Sequence, residues 1–466
     1  MRPGTLVPTT SNRAAPGSLL LLTLAMAQFM VVLDFSIVNV ALPSIQSGLH
    51  IATTTLQWLV SGYAVAFGGF LLLGGRLSDL FGRVRLFRIG LIVFVVASIA
   101  GGLAVEPVLL IGSRVAQGIG AAIVAPAGLS LLVTIWREER QRSHALGVYG
   151  AVVSTGFASG AVLGGLLVEA NWRLVFFVNA PIGAVLLVAS HRLLPADPPA
   201  RSGRLDIPGA ITVTAGVALL VLAVARAGDT LSIAQPAALA LAAVALLGVF
   251  VMRERKVASP LLNLALLADR GIRGANLCLI ALGAFNAGQV LVLTLYLQGD
   301  RHLSPLLTGL CFVAQAAGAF ALSGPASNIV PDLGARTSLT IAMALGLVSL
   351  TGGALAVASG SIVALLASLL MMGAAARLTM VASTLAGTRG PAAMKSQGTA
   401  SALLTATRQC GSALGVSALS ATLVVAHGST THRTETALLV GAAFALAGLL
   451  ATRVVPARRA GADLPA

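Results

Sequence analysis

Asp34 is the residue on which chemistry can be built. Of the fifteen acids in the chain it is the one that falls clearly inside a long apolar run. A carboxylate at membrane depth is costly, and residues of this kind mark proton relays and ion paths. Burial raises a carboxyl pKa and a neighbouring cation lowers it, so such a group can load and release a proton within one working cycle. Asp34 is therefore the expected proton-coupling residue; the alternative is a structural carboxylate bonded to Asn39 or to a neighbouring helix. Arg114, Arg377 and Arg408 are the basic residues expected within apolar runs. A guanidinium cannot realistically deprotonate, so Arg114 is expected to answer the charge of a nearby acid, or else to bond helix carbonyls. Arg377, if it faces a cavity, favours anionic or carbonyl-rich ligands and repels cations; snorkelling is the competing reading.

The second half of the chain offers no acid at membrane depth. Neutral polar residues stand there and in the first half instead: Asn39, Gln57, Gln117, Asn286, Gln289 and Gln315 join Arg377 as candidate substrate-cavity residues, each also open to a helix-packing reading. Cys278, Cys311 and Cys410 lie isolated in apolar runs, which suggests neither a disulfide framework nor a metal site. No nucleotide-binding G-x-x-x-x-G-K-S/T occurs, so ATP is excluded as energy source. No cofactor, metal or enzymatic activity is expected.

These residues must be held by membrane helices. With 57% hydrophobic and 10% charged residues over 466 positions, and a mean hydropathy of +0.94, the chain cannot fold as a soluble globule. Windows of about 20 residues place helices near 19–45, 55–75, 86–105, 107–133, 143–168, 172–194, 208–226, 234–252, 271–298, 304–328, 336–358, 361–388, 396–427 and 434–455. The formal charge of +15 does not point to nucleic acid, because the basic residues are scattered through short loops. With both ends inside, 23 of the thirty Lys and Arg residues fall in cytoplasmic segments, and Arg173, Arg226, Arg301 and Arg433 fall outside, as the positive-inside rule requires. The first apolar run lacks a cleavage signature and is expected to be an uncleaved span.

Gly74 to Arg88, wedged between the apolar runs Leu56–Leu73 and Ile89–Val105, reads as a short surface loop. Gly75, Leu77, Asp79, Gly82 and Arg83 follow the spacing G-x-L-x-D-x-x-G-R, which holds an acid near an arginine. A topogenic arginine cluster is the plain reading, and a conformational latch formed by Gly75, Asp79, Gly82 and Arg83 the mechanical one. Pro331 to Arg336 is a degenerate copy in the second half, with acid, glycine and arginine at altered spacing.

That loop resembles the loop between the second and third spans of the major facilitator superfamily, and further stretches narrow the resemblance to its 14-span drug:proton antiporter branch. Leu33–Pro43 resembles the first-span signature, and Leu110–Ala122 matches the fourth-span motif L-x-x-x-R-x-x-Q-G-x-G-A-A at every fixed position. Trp172–Gly183 and Ala400–Gly411 also look typical of the branch. Gly156, Gly160, Gly164 and Gly165 reproduce the fifth-span antiporter motif except that Ala161 replaces its proline, which removes an expected kink and bears on the direction of transport. The i, i+4 glycines still form a flat face for close helix approach. Val84 stands where the family carries a second basic residue, and Arg377 where it has a small one.

The resemblance implies an all-α integral membrane protein with the major facilitator fold: two six-helix bundles and two inserted central spans, fourteen in all. It implies a tail at 1–18, a first bundle at 19–194, a linker with two extra spans at 195–270, a second bundle at 271–455 and a tail at 456–466. The function expected is proton-coupled efflux of amphipathic small molecules by a monomer in a bacterial inner membrane, with protons, substrate and lipid as partners. An importer or facilitator of a metabolite, or a non-transporting lipid-handling or sensor protein, are the alternatives.

Overall fold

The computed structural model describes residues 17–136, 138–197, 206–227, 234–257, 260–262, 264–388 and 397–457. The tails expected at 1–18 and 456–466 lie almost wholly outside the described residues.

Everything that crosses is helical, because a backbone in lipid must satisfy its own hydrogen bonds. In chain order the helices are α1 (Ser18–Leu49), α2 (Trp58–Phe81), α3 (Arg83–Gly102), α4 (Pro107–Ile135), α5 (Glu139–Ala170), α6 (Leu174–Leu193), α7 (Ile207–Ala227) and α8 (Ala234–Glu254). They continue as α9 (Arg270–Leu295), α10a (Pro305–Ala321), α10b (Pro325–Leu333), α11 (Ala335–Ser359), α12 (Ile362–Thr388), α13 (Gln397–Val425) and α14 (Thr430–Ala451). Eleven of the described helices are long and apolar enough to cross a membrane, and the apolar part of α5, Thr155–Ala170, and α10a are shorter. α13 is long but carries Ser, Thr, Gln and Arg408 along its length. Each expected helix has its counterpart among the described helices.

Two expectations need correction. The segment 74–88 is not a loop: α2 runs through Gly74 and Gly75 to Phe81, and α3 starts at Arg83, so Gly82 alone breaks the helix. Glycine survives inside α2 because Gly74 packs directly on the backbone of α4 at Ala122. The tenth helix, expected as one piece over 304–328, is interrupted at Leu322–Gly324 and restarts with Pro325 in its first turn, where a missing N–H costs nothing.

Gly82 and Gly334 share one backbone conformation, φ 102° and ψ 135° against φ 81° and ψ 155°. That region is open to glycine and closed to most other residues. Each glycine ends one helix and starts the next, so the degenerate second copy keeps the turn even though its acid has shifted.

Packing is by small residues. Gly156, Gly160 and Gly164 of α5 lie on Phe29, Leu33 and Ile37 of α1, the same i, i+4 rhythm on both helices, and a Cβ on Gly160 would come within 2.7 Å of the Leu33 carbonyl. This contact fixes the depth and rotation of α1, and with it Asp34. α7 and α8 pack on each other and α7 also touches α2 and α13. Only 11% of the most apolar stretch of α8 is buried, so its Leu241 and Val244 face outward as lipid-facing side chains.

α2 and α13, and α5 and α10a, join the first six helices to the last six. Ser61 donates to the Ala413 carbonyl at 3.3 Å, Gln298 to the Val40 carbonyl at 2.9 Å, and Gly165 packs against Pro305 and Leu306. Two cavities lie toward the other end of the bundle, where α12 ends and α13 begins.

Candidate functional site

Asp34 is fully buried on α1, one residue beyond Leu33 in the glycine-faced stripe. Its carboxylate accepts three side-chain donors: Arg114 Nη1 at 2.6 Å, Gln117 Nε2 at 2.9 Å and Asn179 Nδ2 at 2.8 Å. Ser98 Oγ accepts from both Gln117 and Asn179 and donates to the Phe176 carbonyl. Four side chains from α3, α4 and α6 thus meet around the one acid of α1.

Arg114 is 1% exposed and uses its guanidinium on three helices. Nε donates to the Leu59 carbonyl of α2 at 2.9 Å, Nη1 also reaches Gln117 Oε1 at 2.8 Å, and the group stacks 4.4 Å from the centre of the Tyr63 ring. Gln117, expected in a substrate cavity, is instead one turn along from Arg114 and tied to both members of the ion pair. A buried pair of this kind recovers its desolvation cost only when its remaining lone pairs and protons are bonded. Here every other bond named runs to a neutral partner, so among the described residues the formal charges in the cluster are those of Asp34 and Arg114. Protonation of Asp34 would leave Arg114 with carbonyl and ring partners but no counter-charge.

Arg408 lies on α13, which packs against α2, and among the described residues its Nε is buried without a partner.

Asn179 and Ser98 were not among the residues expected to act. Asn179 lies in the Trp172–Gly183 stretch, and the visible signal was an amide kept two positions before Pro181 inside an otherwise apolar run.

At the end of α2, Arg83 pairs with Asp79 at 3.2 Å and bonds Thr134 of α4. The pair is 33% and 51% exposed. Gly75 makes only ordinary contact with Pro126. A residue outside the expected set completes the corner: Asp197 accepts the Val84 and Arg85 backbone N–H groups at 2.8 Å each, capping α3.

Of the other cavity candidates, Asn39 is buried and donates to the Phe35 carbonyl of its own helix. Gln57 and Gln289 are likewise closed off within the helix packing. Asn286 and Gln315 bond each other at 2.7 Å, joining α9 to α10a. Arg377 lines the larger of the two cavities.

A model of the Major Facilitator Superfamily matches residues 24–268, which is more than half of the chain and includes the Asp34 cluster. The chain belongs to this superfamily. It is similar to puromycin resistance protein pur8 of Streptomyces alboniger, 37% identical over 93% of this chain and 90% of that protein. It is also similar to cephamycin export protein CmcT of Amycolatopsis lactamdurans, 36% identical over 92% and 91%. Among solved structures, the facilitator fold is shared with a bacterial homolog of the human lysosomal transporter Spinster in its inward-facing occupied conformation, TM-score 0.64 and 15% identity over 95% of this chain and 98% of that one. The human organic anion transporter MFSD10 gives a TM-score of 0.62 at 17% identity, covering 93% and 99%.

Proposed function

We propose that this facilitator exports amphipathic small molecules of the drug or natural-product kind, in exchange for protons, by alternating access of its two halves. The observation that carries the proposal is the fully buried Asp34–Arg114 pair, a titratable acid at membrane depth matched to a fixed cation. Resistance and export proteins from actinomycetes at 36–37% identity over nearly the full chain support the exporter reading over import.

In the arrangement described, the halves are joined along Ser61–Ala413, Val40–Gln298 and Gly165–Pro305, and the cavities lie at the opposite end. This is one of the two states that rocking requires. A proton on Asp34 takes away the counter-charge of Arg114, which itself stays charged. Arg114 keeps Leu59, Gln117 and Tyr63, so the change is passed to α2, which packs against α13 and Arg408. We place the protein in the bacterial plasma membrane with both termini in the cytoplasm, on the distribution of its arginines.

The test is transport by proteoliposomes with an imposed pH gradient, using puromycin and a cephamycin as substrates. Wild type accumulates substrate uphill. Asp34→Asn, which imitates the protonated form at little change of volume, binds substrate and loses gradient-driven accumulation. Uphill accumulation by a folded Asn variant removes Asp34 as the proton site.

A further inference from the structure

A cavity of about 430 Å³ opens between α10b and α12. Val330 and Pro331 line it from α10b, and Arg377, Met380, Val381 and Thr384 from α12. Among the described residues its wall is apolar except for Arg377 and Thr384.

Arg377 sits close to the middle of the 27-residue α12. Among the described residues it makes neither an ion pair nor a hydrogen bond, and its Nε is closed off from solvent with no acceptor. Arg114, by contrast, is given a carboxylate, a carbonyl, an amide and a ring face. Arg377 receives none of these. A guanidinium remains charged in such a place, and leaving it without an anion at membrane depth costs several times more than a lost neutral bond. The side chain lines a cavity large enough for a ligand.

The cavity also leads inward. A second, smaller one of about 200 Å³ shares Met380 and Thr384 and reaches Leu279 of α9 and Ser401 and Leu404 of α13. α13 is the helix that meets α2 of the other half. Arg377 and Thr384 are seven residues apart on one face of α12, about 10 Å along the axis, so the polar wall runs from the first cavity toward the second.

We propose that Arg377 binds the anionic head group, carboxylate or phosphate, of an amphiphile whose apolar body lies against Val330, Met380 and Val381. The guanidinium fork matches the two oxygens of either group. That this amphiphile is cargo rests on the exporter reading, whereas the binding site itself does not.

The experiment measures saturable binding to the full chain in phosphatidylcholine nanodiscs, with empty nanodiscs subtracted and no gradient present. The probes are dodecanoate, dodecyl phosphate and methyl dodecanoate. Wild type is expected to bind the two anions at least tenfold more tightly than the ester. Arg377→Gln is expected to abolish that preference while leaving ester binding unchanged, and Arg377→Lys to keep part of it. The wild-type comparison of acid with ester needs no variant, so a variant that fails to fold does not protect the proposal. Equal binding of acid and ester by wild type, or an undiminished preference in folded Arg377→Gln, overturns it. Adding phosphatidylglycerol to the nanodiscs distinguishes the sources: displacement of dodecanoate identifies a bilayer lipid as occupant, and no displacement identifies a single-chain amphiphile. Puromycin transport without the anion preference would sink the site and spare the exporter reading; the anion preference without gradient-driven transport would do the reverse.

Discussion

The Asp197 carboxylate closes over Gly82 and caps the helix that Gly82 begins. It accepts from Val84 and Arg85 at 2.8 Å, and a Cβ on Gly82 would lie 2.6 Å from its Cγ. Asp197→Ala removes the cap and is expected to lower stability by about 1 kcal/mol, read as a lower midpoint of thermal unfolding in detergent. Asp197→Asn keeps an acceptor and should retain most of it. Gly82→Ala suffers both the strain of φ 102° and the clash, so it should fall below Asp197→Ala on the same scale. Equal midpoints for Gly82→Ala and wild type would mean that the corner relaxes freely.

Asp79 and Arg83 separate a latch from a support. Their pair is half exposed, and exposed pairs contribute about 0–1 kcal/mol. Asp79→Asn should therefore leave the unfolding midpoint nearly unchanged. As a latch residue it should still cut the rate of transport several-fold in proteoliposomes. Wild-type rates in that variant would reduce the motif to a signal for orientation.

Asp34 and Arg114 were each legible in the sequence because charge at membrane depth is rare; solvation cost picked them out without showing which helices touch. Asn179 and Ser98 did not, since neutral polar side chains are common in spans and only the third dimension brings them to one carboxylate. Gln117 was visible but misplaced for the same reason; its position on α4 was clear, and the direction it faces was set by α1, which α5 glycines rotate into place. Asp197 caps a helix more than a hundred residues earlier, which no local pattern encodes. The helical course of 74–81 was hidden because glycine and charge read as loop, whereas close packing of Gly74 on Ala122 makes glycine the residue that fits.

Asp206 makes a pH-dependent support at the foot of the inserted pair α7–α8. Burial pushes its carboxyl up, but the bond from Arg253 at 2.6 Å and the Gly209 N–H outweigh burial and hold it below the usual carboxylate range. A depressed carboxyl contributes stability that is present above its unfolded value, about 3.9, and lost as pH falls through the folded value. Wild type should therefore lose helical signal on acidification below about pH 4, where Asp begins to titrate in the unfolded chain. Arg253→Gln should be less stable at neutral pH and should show a shallower loss over that acid range. Parallel acid curves for the two proteins would remove the pair as the cause.

Orientation follows from the arginines. Reporter fusions after Arg173, Arg301 and Arg433 should read outside, and a fusion after Arg255 inside. A cytoplasmic signal at Arg301 would reverse the second half.

Asp34 and Arg114 make the sharpest prediction, because removing one partner and removing both act in opposite ways. Both are essentially fully buried at 2.6 Å. A single change that strands a buried charge costs roughly 3–5 kcal/mol, whereas replacing the whole pair by neutral groups is often close to neutral. Arg114→Gln strands the Asp34 carboxylate with only Gln117 and Asn179 as donors. Asp34→Asn strands the guanidinium, but Leu59, Gln117 and Tyr63 still hold it. Arg114→Gln should therefore be the least stable, Asp34→Asn intermediate, and the double variant Asp34→Asn with Arg114→Gln at least as stable as Asp34→Asn. All three should lack gradient-driven transport, because each lacks either the titrating group or its counter-charge. Midpoints of thermal unfolding in one detergent, with transport measured on the same preparations, test both halves of the claim. If the double variant loses the sum of the two single losses, the residues act independently and the 2.6 Å bond is not what couples α1 to α4.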